Sequence, residues 1–144
     1  MIKVELERVN DAFGFEARDS NGHTVKIDTS PETGGENFGT RPMQLLLMGL
    51  GGCSGIDILS ILKKQRQAVN TFKIIIEGAR EQGVDPSLWK NINIVFQLTG
   101  DVDEDKARKA CALSIEKYCS VAETLKKSGT SISWTVEVGK RDVS

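Results

Sequence analysis

The chain has 144 residues, and its 19 basic and 20 acidic side chains leave a formal charge of -1. That length suits one domain over residues 1–144 with a single hydrophobic core, and the balanced charge leaves no electrostatic footprint for nucleic acid or an anionic membrane. Three cysteines without a CxxC pair and one histidine argue against a disulfide framework and a zinc knuckle, so no metal and no cofactor is expected and a reducing cytoplasm fits best.

The N-terminus, MIKVELERVN, alternates apolar and charged residues, which reads as a strand and not as a signal peptide. The same period of two continues through Phe13, Phe15 and Ala17, then through His23, Val25 and Ile27. With turn chemistry at Asn10-Asp11 and Asn21-Gly22, residues 2–28 form a three-stranded antiparallel meander. Residues 28–40, DTSPETGGENFGT, are expected to be a mobile loop leading to Arg41 and to Pro42, a good first residue for a helix.

Leu45 to Leu62 reads LLLMGLGGCSGIDILSIL, a helix apolar on nearly every side. Its length reaches that of a membrane span, but four glycines and Asp57 lower its hydropathy and no aromatic belt flanks it. The expectation is a core helix covered by protein all round, with no membrane contact. FKIIIEGAR at 72–80, rich in β-branched residues, reads as a buried strand, and Ile92, Ile94, Phe96 and Leu98 alternate as its partner. A helix opens at Asp101-Val102-Asp103 and carries Ala107, Ala110, Cys111, Ser114, Ile115 and Tyr118 on one face. Ser120 and Glu123 have capping-box spacing, so a short helix starts after Cys119 and ends at Lys126-Lys127-Ser128-Gly129. Ile132, Trp134, Val136 and Val138 give the last strand, for an α+β fold of order βββ-α-ββ-α-α-β.

Two thiols stand out. Cys53 sits among glycines at the centre of the long helix, and Cys119 stands at a helix start, where the backbone dipole stabilises a thiolate. Cys111 shares an apolar face with Ile115 and Tyr118 and reads as core. His23, with no second histidine, offers no metal site.

GLGGCSGIDILSIL followed by EKYCSVAETL resembles the osmotically inducible protein C and organic hydroperoxide resistance (OsmC/Ohr) family, in particular a branch with a GGCSxID helix. The resemblance implies an intertwined homodimer with the two long helices buried at its centre and cysteine sites at the subunit interface. It also implies a thiol peroxidase, an antioxidant enzyme of oxidative stress in which Cys53 reduces an organic hydroperoxide and Cys119 resolves the product as a disulfide that an external dithiol reduces. Such a cycle needs one activated thiol and a second within disulfide reach. Leu46, Leu50, Ile56 and Phe38 or Trp134 are the candidate apolar wall for the substrate.

Peroxidase members of the family pair the reactive thiolate with an arginine held by acids in an Asn-Pro-Glu-Glu type segment. Here that segment reads Arg41-Pro42-Met43-Gln44, so Arg41 is the candidate cation and its acidic holder is missing. Asp57, one turn after Cys53, would oppose a thiolate by like charge. A non-catalytic dimer that binds an apolar ligand in an interface pocket, or a thiol-disulfide protein with little peroxidase activity, is the alternative.

Overall fold

The computed structural model describes residues 1–140. The chain falls into two compact units, Met1–Leu46 and Leu47–Ser144. In the first, β1 (Val4–Arg8), β2 (Phe15–Asp19) and β3 (Thr24–Ile27) form an antiparallel sheet in chain order. Asn10 makes the first turn by accepting the Ala12 and Gly14 amides on its side-chain oxygen, both at 3.0 Å, and Asp19 makes the second by accepting those of Asn21 and His23.

The register pairs Leu6 with Ala17, Arg8 with Phe15, Phe15 with Ile27 and Ala17 with Val25. One face is therefore mainly apolar, with Arg8 and Asp19 at strand ends, and the other carries Glu5, Glu7, Glu16, Arg18 and Lys26, as the alternation requires.

The loop after β3, expected to be mobile, is built around one buried carboxylate. Asp28 accepts the amides of Thr29 at 2.7 Å, Glu36 at 3.0 Å and Phe38 at 3.1 Å, while its own amide donates to the Thr40 carbonyl. Those hydrogen bonds, the Phe38 amide foremost, hold its carboxyl below the ordinary carboxylate range. Gly and Pro content identified the loop but concealed this hub, because a side chain that bonds backbone amides up to ten residues away leaves no periodic trace.

Helix α1 (Pro42–Lys64) begins at the proline and runs for 23 residues. Leu50, Gly51, Ser54, Gly55, Ile58 and Leu62 make its buried stripe. In the second unit β4 (Ala68–Arg80) pairs antiparallel with β5 (Trp89–Asp101), and β5 pairs in parallel with β6 (Ser131–Gly139), leaving β5 central. Ile92, Ile94, Phe96 and Leu98 on one face of β5 are all wholly or almost wholly buried. The register sets Ile76, Ile74 and Phe72 beside Ile94, Phe96 and Leu98, and α1 lies on these β4 side chains through its glycines. A Cβ on Gly55 would come 2.9 Å from Ile74 Cδ1, and one on Gly51 would come 3.1 Å from Ile76 Cδ1.

The expectation that protein covers α1 all round does not hold within one chain. Leu46, Met48, Ile56 and Leu59 are exposed, Ile56 at 70%, because the sheet reaches only the stripe that contains the two close-packed glycines.

Helix α2 (Glu104–Leu113) starts at Asp103, whose carboxylate accepts the Lys106 amide. It does not continue as an α-helix to Tyr118: Ser114–Tyr118 opens into a π turn, closed by the Cys119 amide on the Ser114 carbonyl at 2.7 Å. Helix α3 (Ser120–Lys127) follows. Its cap is Cys119 and not Ser120, because the Cys119 sulfur accepts the Ala122 amide at 3.4 Å. The order βββ-α-ββ-α-α-β is the one expected.

Candidate functional site

Three elements of the second unit meet at one point. Cys53 and Asp57 lie four residues apart on α1, a spacing that sets both on one face. Cys119 arrives from the junction of the π turn and α3. The Cys53 sulfur, a carboxylate oxygen of Asp57 and the Cys119 sulfur all lie within 4.8 Å of one another, and all three cysteines of the chain are free thiols.

Burial differs between the partners. Cys53 and Asp57 are half-buried, whereas Cys119 is only 3% exposed. Loss of solvent, reinforced by a hydrogen bond to the Cys53 sulfur and by that sulfur's charge, pushes the Cys119 thiol up to about 11, although the Ala122 amide pulls the other way. Cys119 therefore stays protonated at neutral pH, which offsets the help expected from its helix N-terminus. Cys111 lies apart in the α2 core, wholly buried, and burial pushes its thiol up to about 12.

Ser114 completes the arrangement. It is wholly buried, and its hydroxyl is shared between Asp57 Oδ2 at 3.1 Å and the Ser54 carbonyl at 3.3 Å. The π turn sets this residue opposite α1, and Lys126 Nζ steadies the turn by donating to the Ile115 carbonyl at 2.7 Å. π turns inside helical segments recur at functional sites because they re-aim side chains. Sequence reasoning placed Ser114 on the helix face with Cys111 and Ile115 but gave it no role. A hydroxyl among apolar residues was the available signal.

An open groove of about 600 Å³ leads from Asp57 past Ser60, Ile61 and Leu113 to Tyr118, with Lys64 at its edge. Its apolar wall of Ile61, Leu113 and Tyr118 was not anticipated. Of the residues that were, Leu50 is wholly buried on the packed stripe of α1 and Ile56 is exposed on another side of that helix.

Phe38 and Arg41 belong to the first unit. Phe38 is half-buried with Lys26 Nζ 5.4 Å from its ring centre. Arg41 has acidic company there: after the hydrogen bonds that dominate both cases, its charge helps to hold the Asp28 and Glu32 carboxyls down.

The profile of the family described as OsmC-like protein matches residues 33–135. Protein YhfA of Escherichia coli K12 is 37% identical over 132 residues, covering 89% of this chain and 92% of its own. A crystal structure of a hypothetical protein from Aquifex aeolicus VF5 is 38% identical, with a TM-score of 0.80 over 97% of this chain and 98% of that one. The organic hydroperoxide resistance protein OsmC of Legionella pneumophila shares the fold at 16% identity, with a TM-score of 0.72 over 96% and 97% of the two chains. Sequence and fold agree that the chain belongs to the OsmC-like protein family.

Proposed function

We propose that the protein is a cysteine-based peroxidase of the reducing cytoplasm that acts on small organic hydroperoxides. The observation that carries this reading is the approach of the Cys53 and Cys119 sulfurs to within 4.8 Å, close enough for a disulfide after a small side-chain adjustment. Cys53 as thiolate attacks one peroxide oxygen. The O–O bond breaks, the alcohol leaves with a proton, and Cys53 becomes sulfenic acid. Cys119, protonated until then, attacks the Cys53 sulfur; the S–S bond forms and water leaves. An external dithiol returns two electrons and two protons.

The two thiols divide the labour by environment. Half-buried Cys53 is open to a substrate, while buried Cys119 meets only a partner already formed beside it. The groove along Ile61, Leu113 and Tyr118 suits an apolar substituent better than hydrogen peroxide. Arg41 is the cation we assign to thiolate activation. The active form is a homodimer: α1 leaves Met48, Ile56 and Leu59 bare, a pattern that soluble monomers avoid when the patch is large.

One equivalent of cumene hydroperoxide added to the reduced protein tests the reading. The expected product is a Cys53–Cys119 crosslinked peptide, two thiols lost per chain, and Cys111 still alkylatable after unfolding. Unchanged thiols would favour the non-catalytic dimer that binds an apolar ligand. A crosslink through Cys111 would overturn the assignment of the pair.

A further inference from the structure

We propose that Cys53, Asp57 and Cys119 form a binding site for a thiophilic divalent cation of the zinc class, with Ser114 orienting the carboxylate. Two sulfurs and one carboxylate oxygen are donors that zinc accepts, whereas magnesium and calcium prefer oxygen alone. Zinc–sulfur bonds of about 2.3 Å in a tetrahedron set two sulfurs about 3.7 Å apart. Donor atoms already within 4.8 Å of one another need to move by only about 1 Å to reach that geometry.

The supporting shell favours the same reading. Cys53 and Asp57 project from successive turns of α1, which is fixed on the sheet by Gly51 and Gly55, and Cys119 is fixed as the cap of α3. The buried Ser114 hydroxyl engages Asp57 Oδ2, the outer-shell arrangement that orients metal ligands. Three protein donors leave a fourth position for water. Histidine and cysteine spacing concealed the site, because its third donor is a carboxylate one helical turn from Cys53.

Metal and disulfide exclude each other, since both use the same sulfur electron pairs. The reduced chain takes the cation and the oxidised chain does not. The site rests on the geometry of four side chains and not on the peroxide reaction, so the two readings fail separately.

Titration of the reduced full-length protein with zinc against a chromophoric chelator tests the site, with cobalt(II) as spectroscopic probe. The expected result is one metal per chain and a thiolate-to-cobalt charge-transfer band. Affinity should fall at least tenfold in Cys53→Ser, Cys119→Ser and Asp57→Asn, fall about tenfold in Ser114→Ala, stay unchanged in Cys111→Ser and vanish after oxidation with diamide. Wild-type affinity in either single-cysteine variant, or a cobalt spectrum without the charge-transfer band, overturns the proposal. Should Asp57→Asn fail to fold, undiminished affinity in Ser114→Ala overturns it equally. Zinc uptake without a peroxide-driven crosslink leaves this site standing and removes the peroxidase; a crosslink without zinc uptake does the reverse.

Discussion

The two sheets follow the same rule of composition and meet opposite fates. In β4–β6 the apolar face is covered by helices, and Ile94 and Phe96 lose all contact with solvent. In β1–β3 the matching face is also mainly apolar, with Arg8 and Asp19 at strand ends, yet Val4, Leu6, Phe15 and Val25 remain 62%, 52%, 38% and 42% exposed. Alternation thus identifies which face of a strand seeks cover but not what supplies it. The proposed dimer would give the first sheet and the bare side of α1 the cover that one chain does not supply.

The largest effect expected from that contrast is in the covered sheet. Phe96→Ala should lower stability by about 3–5 kcal/mol, read by chemical denaturation. Leu6→Ala sharpens the comparison: covered by a second copy it should cost about 2 kcal/mol, with a midpoint that depends on protein concentration. A loss below about 0.5 kcal/mol, independent of concentration, would mean that the first sheet stays bare in solution.

Ile56→Asp attacks the bare stripe of α1 without touching the packed one. The variant should keep its far-UV circular dichroism and sediment as a monomer at micromolar concentration. A dimer as tight as wild type would remove this stripe from the interface.

The units should also fail at opposite ends of the pH scale. Cys119 and Cys111 are held neutral, at about 11 and about 12 against an ordinary 9.0, so above pH 9 the folded chain binds protons that the unfolded chain has released. Stability must then fall as pH rises through those values, an alkaline loss visible in the fluorescence of Trp89 and Trp134. Asp28 has the opposite sign. Its carboxyl is held low by the amides it accepts, so its contribution is intact above the ordinary carboxylate range and is lost as pH falls through its folded value. The Glu36 and Phe38 amides should lose hydrogen-exchange protection there first, while amides of β5 keep theirs.

The smallest expected effect is a control. Asp103→Ala removes the cap of α2 and should cost about 1 kcal/mol, whatever the protein concentration. Any concentration dependence would mean that the second unit also relies on a partner for its own stability.

Much of this was legible in the sequence. The six strands and three helices follow from period and turn chemistry, and Cys53 and Cys119 were singled out by their surroundings. What escaped depends on single hydrogen bonds and not on repeating pattern. Asp28 organises a loop through three amides, the Cys119 sulfur takes a capping role that Ser120 and Glu123 seemed to claim, and Ser114 turns from a helix-face residue into the partner of Asp57. The covered-helix expectation for α1 failed for a different reason: apolarity records that a surface is destined for burial, not whether the burial happens within one chain.

The π turn at Ser114–Tyr118 acts as an angular spacer. Each residue of an α-helix advances the chain by about 100°, and a turn closed by an i→i+5 bond takes in one residue more than an α turn for nearly the same rotation, so regular α winding of the same five residues would carry Cys119 further round the helix axis by about 100°. Cys119 would then point away from Cys53 although no cysteine, acid or serine of the site had been altered. In this fold the pairing of two thiols 66 positions apart depends on how the five residues Ser114–Tyr118 are wound, so a change that favours regular α winding there would separate the thiols without touching either.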